Sequence, residues 1–157
     1  MDEEIKLYGN VIFKYCFGIL CDYHEAQDAV QETFAKAYFS QSKLKSQESF
    51  KAWLYKIAYN VCMNILRKRR RYFSDADDTI AARANASDSP FIDPDLTEAL
   101  LVLSPQDRAL FYSRAVDGTD YEELSKLYGV RAATLRKRYE RAKTKLKNFL
   151  TERSVSN

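Results

Sequence analysis

TDYEELSKLYGVRAATLRKRYERAKTKL, residues 119–146, decides how the rest of the chain is read. It predicts two helices joined by a tight turn. Thr119 can cap the first, and Glu122, three residues on, completes a capping box that satisfies two orphan backbone donors. Leu124 and Leu127 give this helix one apolar face. Gly129 stands where a helix stops best on a residue tolerant of positive φ. The second helix opens after Val130. Its residues Leu135, Tyr139, Ala142, Leu146 and Leu150 recur at three- and four-residue steps, one buried stripe. Ala133, Lys137, Glu140 and Thr144 take the opposite face, flanked by Arg136 and Arg141. A short helix, a glycine turn and a basic second helix make a helix-turn-helix, whose second helix enters the major groove. Spacing alone fits a plain helical hairpin equally well. Charge decides: residues 131–147 hold eight Lys or Arg and one acid, Glu140, more than solubility requires.

Upstream of this hairpin, Asp117-Gly118 turns the chain, and Ser104-Pro105-Gln106-Asp107 has the form of a helix start with a capping serine and proline at the first helical position. Leu96, Leu100 and Leu103 open the C-terminal domain, residues 96–152. Before it, residues 73–95 hold six Asp, two Pro and a single base, Arg83, the composition of a flexible acidic connector. Plain tethering explains it.

Residues 1–72 read as a second helical domain. From about Glu4 to Leu20, Ile5, Tyr8, Ile12, Tyr15, Cys16 and Ile19 fall at helical steps. After a break near Cys21 to Tyr23, a second helix turns Ala26, Val30, Phe34 and Tyr38 inward and Glu25, Asp28, Gln31 and Glu32 outward. On charge alone, that acidic side is a solvated face with acids near a helix N-terminus. The polar loop SQSKLKSQES leads to a long helix from Phe50 to about Arg71. Leu54, Ile57, Ala58, Val61 and Ile65 form its buried face. About a third of a turn away run Trp53, Lys56, Asn60, Asn64, Arg67 and Arg71. The plainer reading packs Trp53 inside and leaves the asparagines incidental. A file of ring, amides and cations also suits nucleic acid, because amides pair with base edges and cations hold the backbone.

With 157 residues, 46% apolar, the chain can build one ordinary domain or two small ones. Four Gly, three Pro and no alternating apolar strands argue for an all-α protein. The net charge is only +3, yet thirteen of the 25 Lys and Arg lie in residues 67–71 and 131–147, which suggests a polyanion touched at two places. The start MDEEIK lacks a signal-peptide pattern, and no apolar run approaches a membrane span, so no membrane insertion is expected. Three cysteines without a compact framework fit a reducing cytoplasm. Cys16 and Cys21 would point about 140° apart on one helix, against a zinc site with His24 and Cys62. One His, no nucleophile elbow and no phosphate-binding glycine loop leave no catalytic residue to name.

AQDAVQETFAKAY, residues 26–38, followed by FKAWLYKIAYNVCMNILRKRRR, residues 50–71, resembles region 2 of bacterial RNA polymerase sigma factors of the small extracytoplasmic-function (ECF) group. YEEL…GV…TLRKRYERAKTKL resembles region 4 of the same family, in the same order along the chain. Arg131 and Ser125 depart from residues common in that family, and Cys62 has no evident family role. The resemblance implies two helical domains, core RNA polymerase and promoter DNA as partners, an anti-sigma factor besides, and no cofactor. It implies that Asp28, Gln31 and Glu32 dock on the polymerase. Lys56, Asn60, Asn64 and Arg67, with Trp53 and the loop around Leu44, would hold the single-stranded −10 element. Arg131, Thr134, Arg136, Lys137 and Arg141 would read the −35 duplex. Glu140 either accepts from a cytosine amino group or pairs with Arg136. Two other readings are a stand-alone helix-turn-helix regulator with an N-terminal sensing or dimerisation half, and a nucleic-acid-processing enzyme with Asp28 and Glu32 as metal ligands.

Overall fold

A computed structural model of the chain describes residues 2–44, 49–72 and 93–156. Among them there is no strand. The helices are α1 (Asp2–Leu20), α2 (Tyr23–Phe39), α3 (Phe50–Tyr72), α4 (Pro94–Leu100), α5 (Pro105–Phe111), α6 (Tyr121–Tyr128) and α7 (Ala132–Ser156). A 3-10 turn, Gln41–Lys43, follows α2, and a π-helical turn, Tyr112–Val116, extends α5. The predicted acidic connector falls, for residues 73–92, outside the described residues.

Helices α1, α2 and α3 wrap one core around Ile12, Tyr15, Ile19, Leu54 and Val61, all fully buried. The α1–α2 break comes where predicted. Cys21 adopts a left-handed φ of 53°, and Asp22 caps α2 by accepting from the Glu25 amide at 3.0 Å. A non-glycine residue in that conformation costs on the order of 1 kcal/mol. The Cys21 amide offsets part of it by bonding the Phe17 carbonyl at 2.8 Å. Ala29, Thr33 and Ala37 supply the close contact on α2, whereas Tyr38, expected inside, is 57% exposed. Thr33 is buried at no polar cost because its hydroxyl donates to the Ala29 carbonyl at 2.6 Å. The cysteines are free and buried, and the Cys62 thiol is pushed well up by its hydrogen bond to Cys16 and by burial. All three are core thiols. Among the described residues no group of His, Cys, Asp and Glu is placed to hold a metal, and no helix is long and apolar enough to cross a membrane.

In the C-terminal half each helix start carries its own cap. Asp93 accepts from the Asp95 amide at 2.9 Å with Pro94 at the first turn, so α4 begins two residues before the predicted domain start. Ser104 accepts from Asp107 at 3.2 Å, as predicted. The cap of α6 is Asp120, not Thr119: its carboxylate accepts from the Glu123 amide at 2.8 Å. Thr119 is held by the preceding turn, its amide bonding the Ser113 carbonyl at 3.0 Å and its carbonyl accepting from Arg114. Gly129 stops α6 with φ 68°. Leu110, Leu124 and Leu135 lock α5, α6 and α7 together, while Ala99, Leu103, Ala142 and Leu146 join α4 to α7. Leu150 is 53% exposed and leaves the predicted stripe. There α7 is held to α4 by Arg153, which pairs with Asp95 at 2.7 Å and with Glu98.

The halves touch. Ala109 of α5 belongs to the N-terminal core, and Tyr112, Leu127 and Tyr128 pack against it. An apolar cleft of about 670 Å³ opens between α1 and the α4–α5 pair, lined among others by Phe13, Phe17, Leu96 and Phe111. Leu96, read as opening the C-terminal domain, is 56% exposed there.

Candidate nucleic-acid interface

On α7 the buried stripe of Leu135, Ala142 and Leu146 fixes the rotation of the helix and turns Thr134, Arg136, Lys137 and Arg141 outward. Arg131 precedes the helix and is exposed as well. Tyr121, at the start of α6, was not singled out by the sequence. The Arg136 guanidinium lies 4.8 Å from its ring centroid and that of Arg114 4.6 Å, so one ring steers two cations. Glu140 pairs with Lys143 at 3.2 Å, not with Arg136. Arg138 is withdrawn from the basic face: its guanidinium bonds Asp107 at 2.8 and 3.0 Å and pins α7 to α5.

On α3, Lys56, Asn60 and Arg67 are exposed and Asn64 half-buried. Spacings of four, four and three residues put them on one line of the helix. Asn64 Oδ1 accepts from Arg67 Nη1 at 2.7 Å, which leaves the Asn64 amide NH₂ as the free donor end of that pair in the absence of DNA. Trp53 continues the line one turn earlier, half-buried, with its ring 5.8 Å from Phe50 against the core. Leu44 is half-buried at the end of the 3-10 turn, on a separate segment. Burial raises the Tyr59 hydroxyl, which faces Arg138 and Arg67.

The basic run at the end of α3 is not uniform. Lys68, Arg70 and Arg71 are exposed, but Arg69 turns inward, pairs with Glu25 of α2 and donates to the Leu20 carbonyl at 3.2 Å. Glu25 thereby leaves the acidic patch and Arg69 the basic one. A pairing across 44 residues has no sequence signature. Asp28, Gln31 and Glu32 remain exposed on α2, with Glu32 3.3 Å from Lys36.

Three surfaces thus share one chain: a basic helix face on α7, a mixed amide and cation file on α3 backed by aromatics, and an acidic patch on α2. Sigma-70 region 2 matches residues 5–72, and sigma-70 region 4 matches residues 94–146. The ECF RNA polymerase sigma factor EcfG of Rhodopseudomonas palustris is 30% identical over 128 residues, 80% of this chain and 71% of that protein. The ECF RNA polymerase sigma factor SigE of Mycolicibacterium smegmatis is 27% identical over 161 residues, 98% of this chain but only 62% of its own length. The sigma factor RpoE of Bartonella quintana, solved in complex with the anti-sigma factor NepR, superposes with a TM-score of 0.77 at 22% identity, covering 96% of both chains. The chain belongs to the sigma-70 factors of the ECF group. The region 2 match over α1–α3 leaves no support for an N-terminal sensing or dimerisation half.

Proposed function

We propose that this sigma factor binds core RNA polymerase through the α2 patch of Asp28, Gln31 and Glu32, and directs it to promoters through α7 and α3. On α7, Arg131, Thr134, Arg136, Lys137 and Arg141 engage the −35 duplex: arginines bond guanine edges and lysine holds phosphate. On α3, Lys56, Asn60, Asn64 and Arg67, with Trp53 and Leu44, receive the −10 strand once its bases leave the stack. Unstacking costs a few kcal/mol per base, and stacking, amide bonds and backbone cations offset it. Residues 1–72 form one working domain, and the second runs from α4, which takes in residues 93–95 of the expected linker. The factor catalyses nothing itself and works in the cytoplasm, where the polymerase is. An anti-sigma factor is its proposed antagonist, a partner of the kind named for the Bartonella relative.

The observation that carries this reading is the pair of separate exposed faces, amides and cations on α3 and cations on α7, in a chain matching regions 2 and 4 in order. Purified protein, core polymerase and a promoter library test it. Transcripts starting from a shared two-element sequence are expected, and none should form when either component is omitted. DNA binding that needs no polymerase and yields no transcript would overturn it.

A further inference from the structure

A polar pocket at the start of α3 takes no part in the roles assigned above. It encloses about 290 Å³, with Lys51, Ala52 and Tyr55 of α3 on one wall and Asp117, Asp120 and Glu123 on the other. Small-molecule sites begin at about 300 Å³, so this one suits a small ligand. Three carboxylates and one ammonium line it, and no ion pair among the described residues engages any of them. Two of the acids have a local reason to be there. Asp120 caps α6 and Glu123 lies in its first turn, where the helix dipole favours negative charge. Asp117 has no such support. It follows the π-helical turn Tyr112–Val116, at the end of a helical segment, where the dipole disfavours an anion.

Tyr55 is the observation that turns an acidic wall into a site. It is only 5% exposed, and its ring packs against that of Tyr15 at 4.7 Å. Its hydroxyl lines the pocket, shut off from solvent, and makes no hydrogen bond of ordinary geometry. A buried hydroxyl left this way carries its full desolvation cost. Burial, and after it the facing Asp117 carboxylate, push this hydroxyl well up. It therefore stays a neutral phenol, with a lone pair to offer as well as a proton.

A phenol oxygen and a carboxylate that face each other unjoined are bridged best by a charged donor. An ammonium has three N–H donors and no acceptor, so one such group can bond Tyr55 Oη and Asp117 together. The carboxylates do not converge on a point: among the described residues no group of His, Cys, Asp and Glu is placed to hold a metal. Acids spread along a pocket match cations spread along a chain. Ala52 and Leu127 add apolar lining for the methylenes between those cations. Lys51 lies over the Tyr55 ring at 5.7 Å, and with three acids against it the lining still repels anions.

We propose that this pocket binds a small aliphatic polyamine, with one ammonium held between Tyr55 and Asp117 and a second at Asp120 and Glu123. The site stands apart from the sigma-factor reading, since none of these residues is assigned to promoter or polymerase.

Isothermal titration calorimetry of the full chain with spermidine, beside thermal unfolding at the same concentrations, tests it. One saturable site per chain is expected, with a melting temperature that rises as the site fills. Tyr55→Phe keeps the ring and deletes only the oxygen, and should weaken binding about tenfold, the worth of a hydrogen bond to a charged group. Asp117→Asn with Glu123→Gln should abolish the saturable site while helical dichroism stays unchanged. Should Tyr55→Phe fail to fold, Asp117→Asn alone carries the test. Acetyl-lysine amide presents the single ammonium that a protein partner would offer, and should bind at least tenfold more weakly than spermidine. Equal affinity would overturn the polyamine class. The six Asp of residues 73–95 attract cations diffusely, and the variants leave them in place. Uptake that does not saturate, that magnesium displaces at equal concentration, or that is the same in wild type and variants therefore overturns the site. Neither heat nor a rise in melting temperature with millimolar spermidine overturns it as well.

Discussion

On α7 the groups assigned to DNA stand in solvent, whereas on α3 the exposed Lys56, Asn60 and Arg67 share their file with Trp53 and Asn64, which are half-buried. Thr134, Arg136, Lys137 and Arg141 project from a helix whose rotation is fixed by three buried contacts on its far side, and Arg131 is exposed just before it. Along α3, Trp53 leans on Phe50, Asn64 is tied to Arg67, and Arg69 is spent on Glu25. The contrast fits the two tasks proposed for these helices. Duplex DNA presents its edges and phosphates ready-made, so a rigid helix with free cations suffices. An extruded base must be received on apolar and amide surface, which holds its shape only if the core supports it.

The comparison breaks most completely if the support of α7 is removed. Leu135 is 1% exposed between α5, α6 and α7, and Leu135→Ala should cost about 2–5 kcal/mol. Urea unfolding followed by dichroism should then show the C-terminal helices melting first, with upstream-duplex binding lost and the α1–α3 core retained. A single unshifted transition would mean that the helix-turn-helix does not depend on this contact.

A milder change sharpens the α7 side alone. Arg136→Ala should remove about 1–3 kcal/mol of discrimination at one base pair, whereas Lys137→Ala should weaken all sequences alike and lower the salt slope by about one. Competition binding to −35 duplexes at several salt concentrations separates the two. Unchanged affinity and preference in both variants would remove them from duplex recognition.

The parts legible in the sequence were those fixed by local rules. Periodicity placed α3 and α7 and their buried faces; Ser104-Pro105 and Gly129 marked a start and a stop that the structure keeps. The errors came where two local solutions compete or where the partner is distant. Thr119 and Asp120 are both good caps, and the preceding turn, which engages Thr119, decides for Asp120. Tyr38 and Leu150 sit at helical steps of an apolar face but past the end of the facing surface, so they emerge into solvent. Arg69 reads as one base among five, and only the fold brings Glu25 beneath it. Tyr15, Tyr59 and Tyr128 read as ordinary aromatics because the docking that joins them spans up to 113 residues.

On the α3 side the expected loss is smaller, because one contact among several is removed. Asn60→Ala deletes an exposed amide without touching the core, and should slow open-complex formation about fivefold, the worth of about 1 kcal/mol. Permanganate reactivity of unpaired thymines reports it. A pre-melted bubble should rescue the variant only in part, since the base contact is still missing. Wild-type opening by Asn60→Ala and Asn64→Ala together would take the file out of the mechanism.

The smallest structural effect belongs to α2, and its smallness makes the result readable. Glu32 and Lys36 form an exposed pair one helical turn apart, and such pairs contribute about 0.2–0.5 kcal/mol. Asp28 and Glu32 are exposed and make no packing contact that charge reversal would damage. Asp28→Lys with Glu32→Lys should therefore shift the unfolding free energy by less than about 1 kcal/mol. If these acids meet a basic polymerase surface, the same pair of changes turns attraction into repulsion. Affinity for core polymerase should then fall at least tenfold, more steeply at low salt, while −35 duplex binding stays at the wild-type level. Fluorescence anisotropy of labelled protein titrated with core polymerase measures the first, and the duplex assay controls the second. Unchanged affinity for core at low salt would return Asp28, Gln31 and Glu32 to a solvated helix face whose acids favour the N-terminal end of α2.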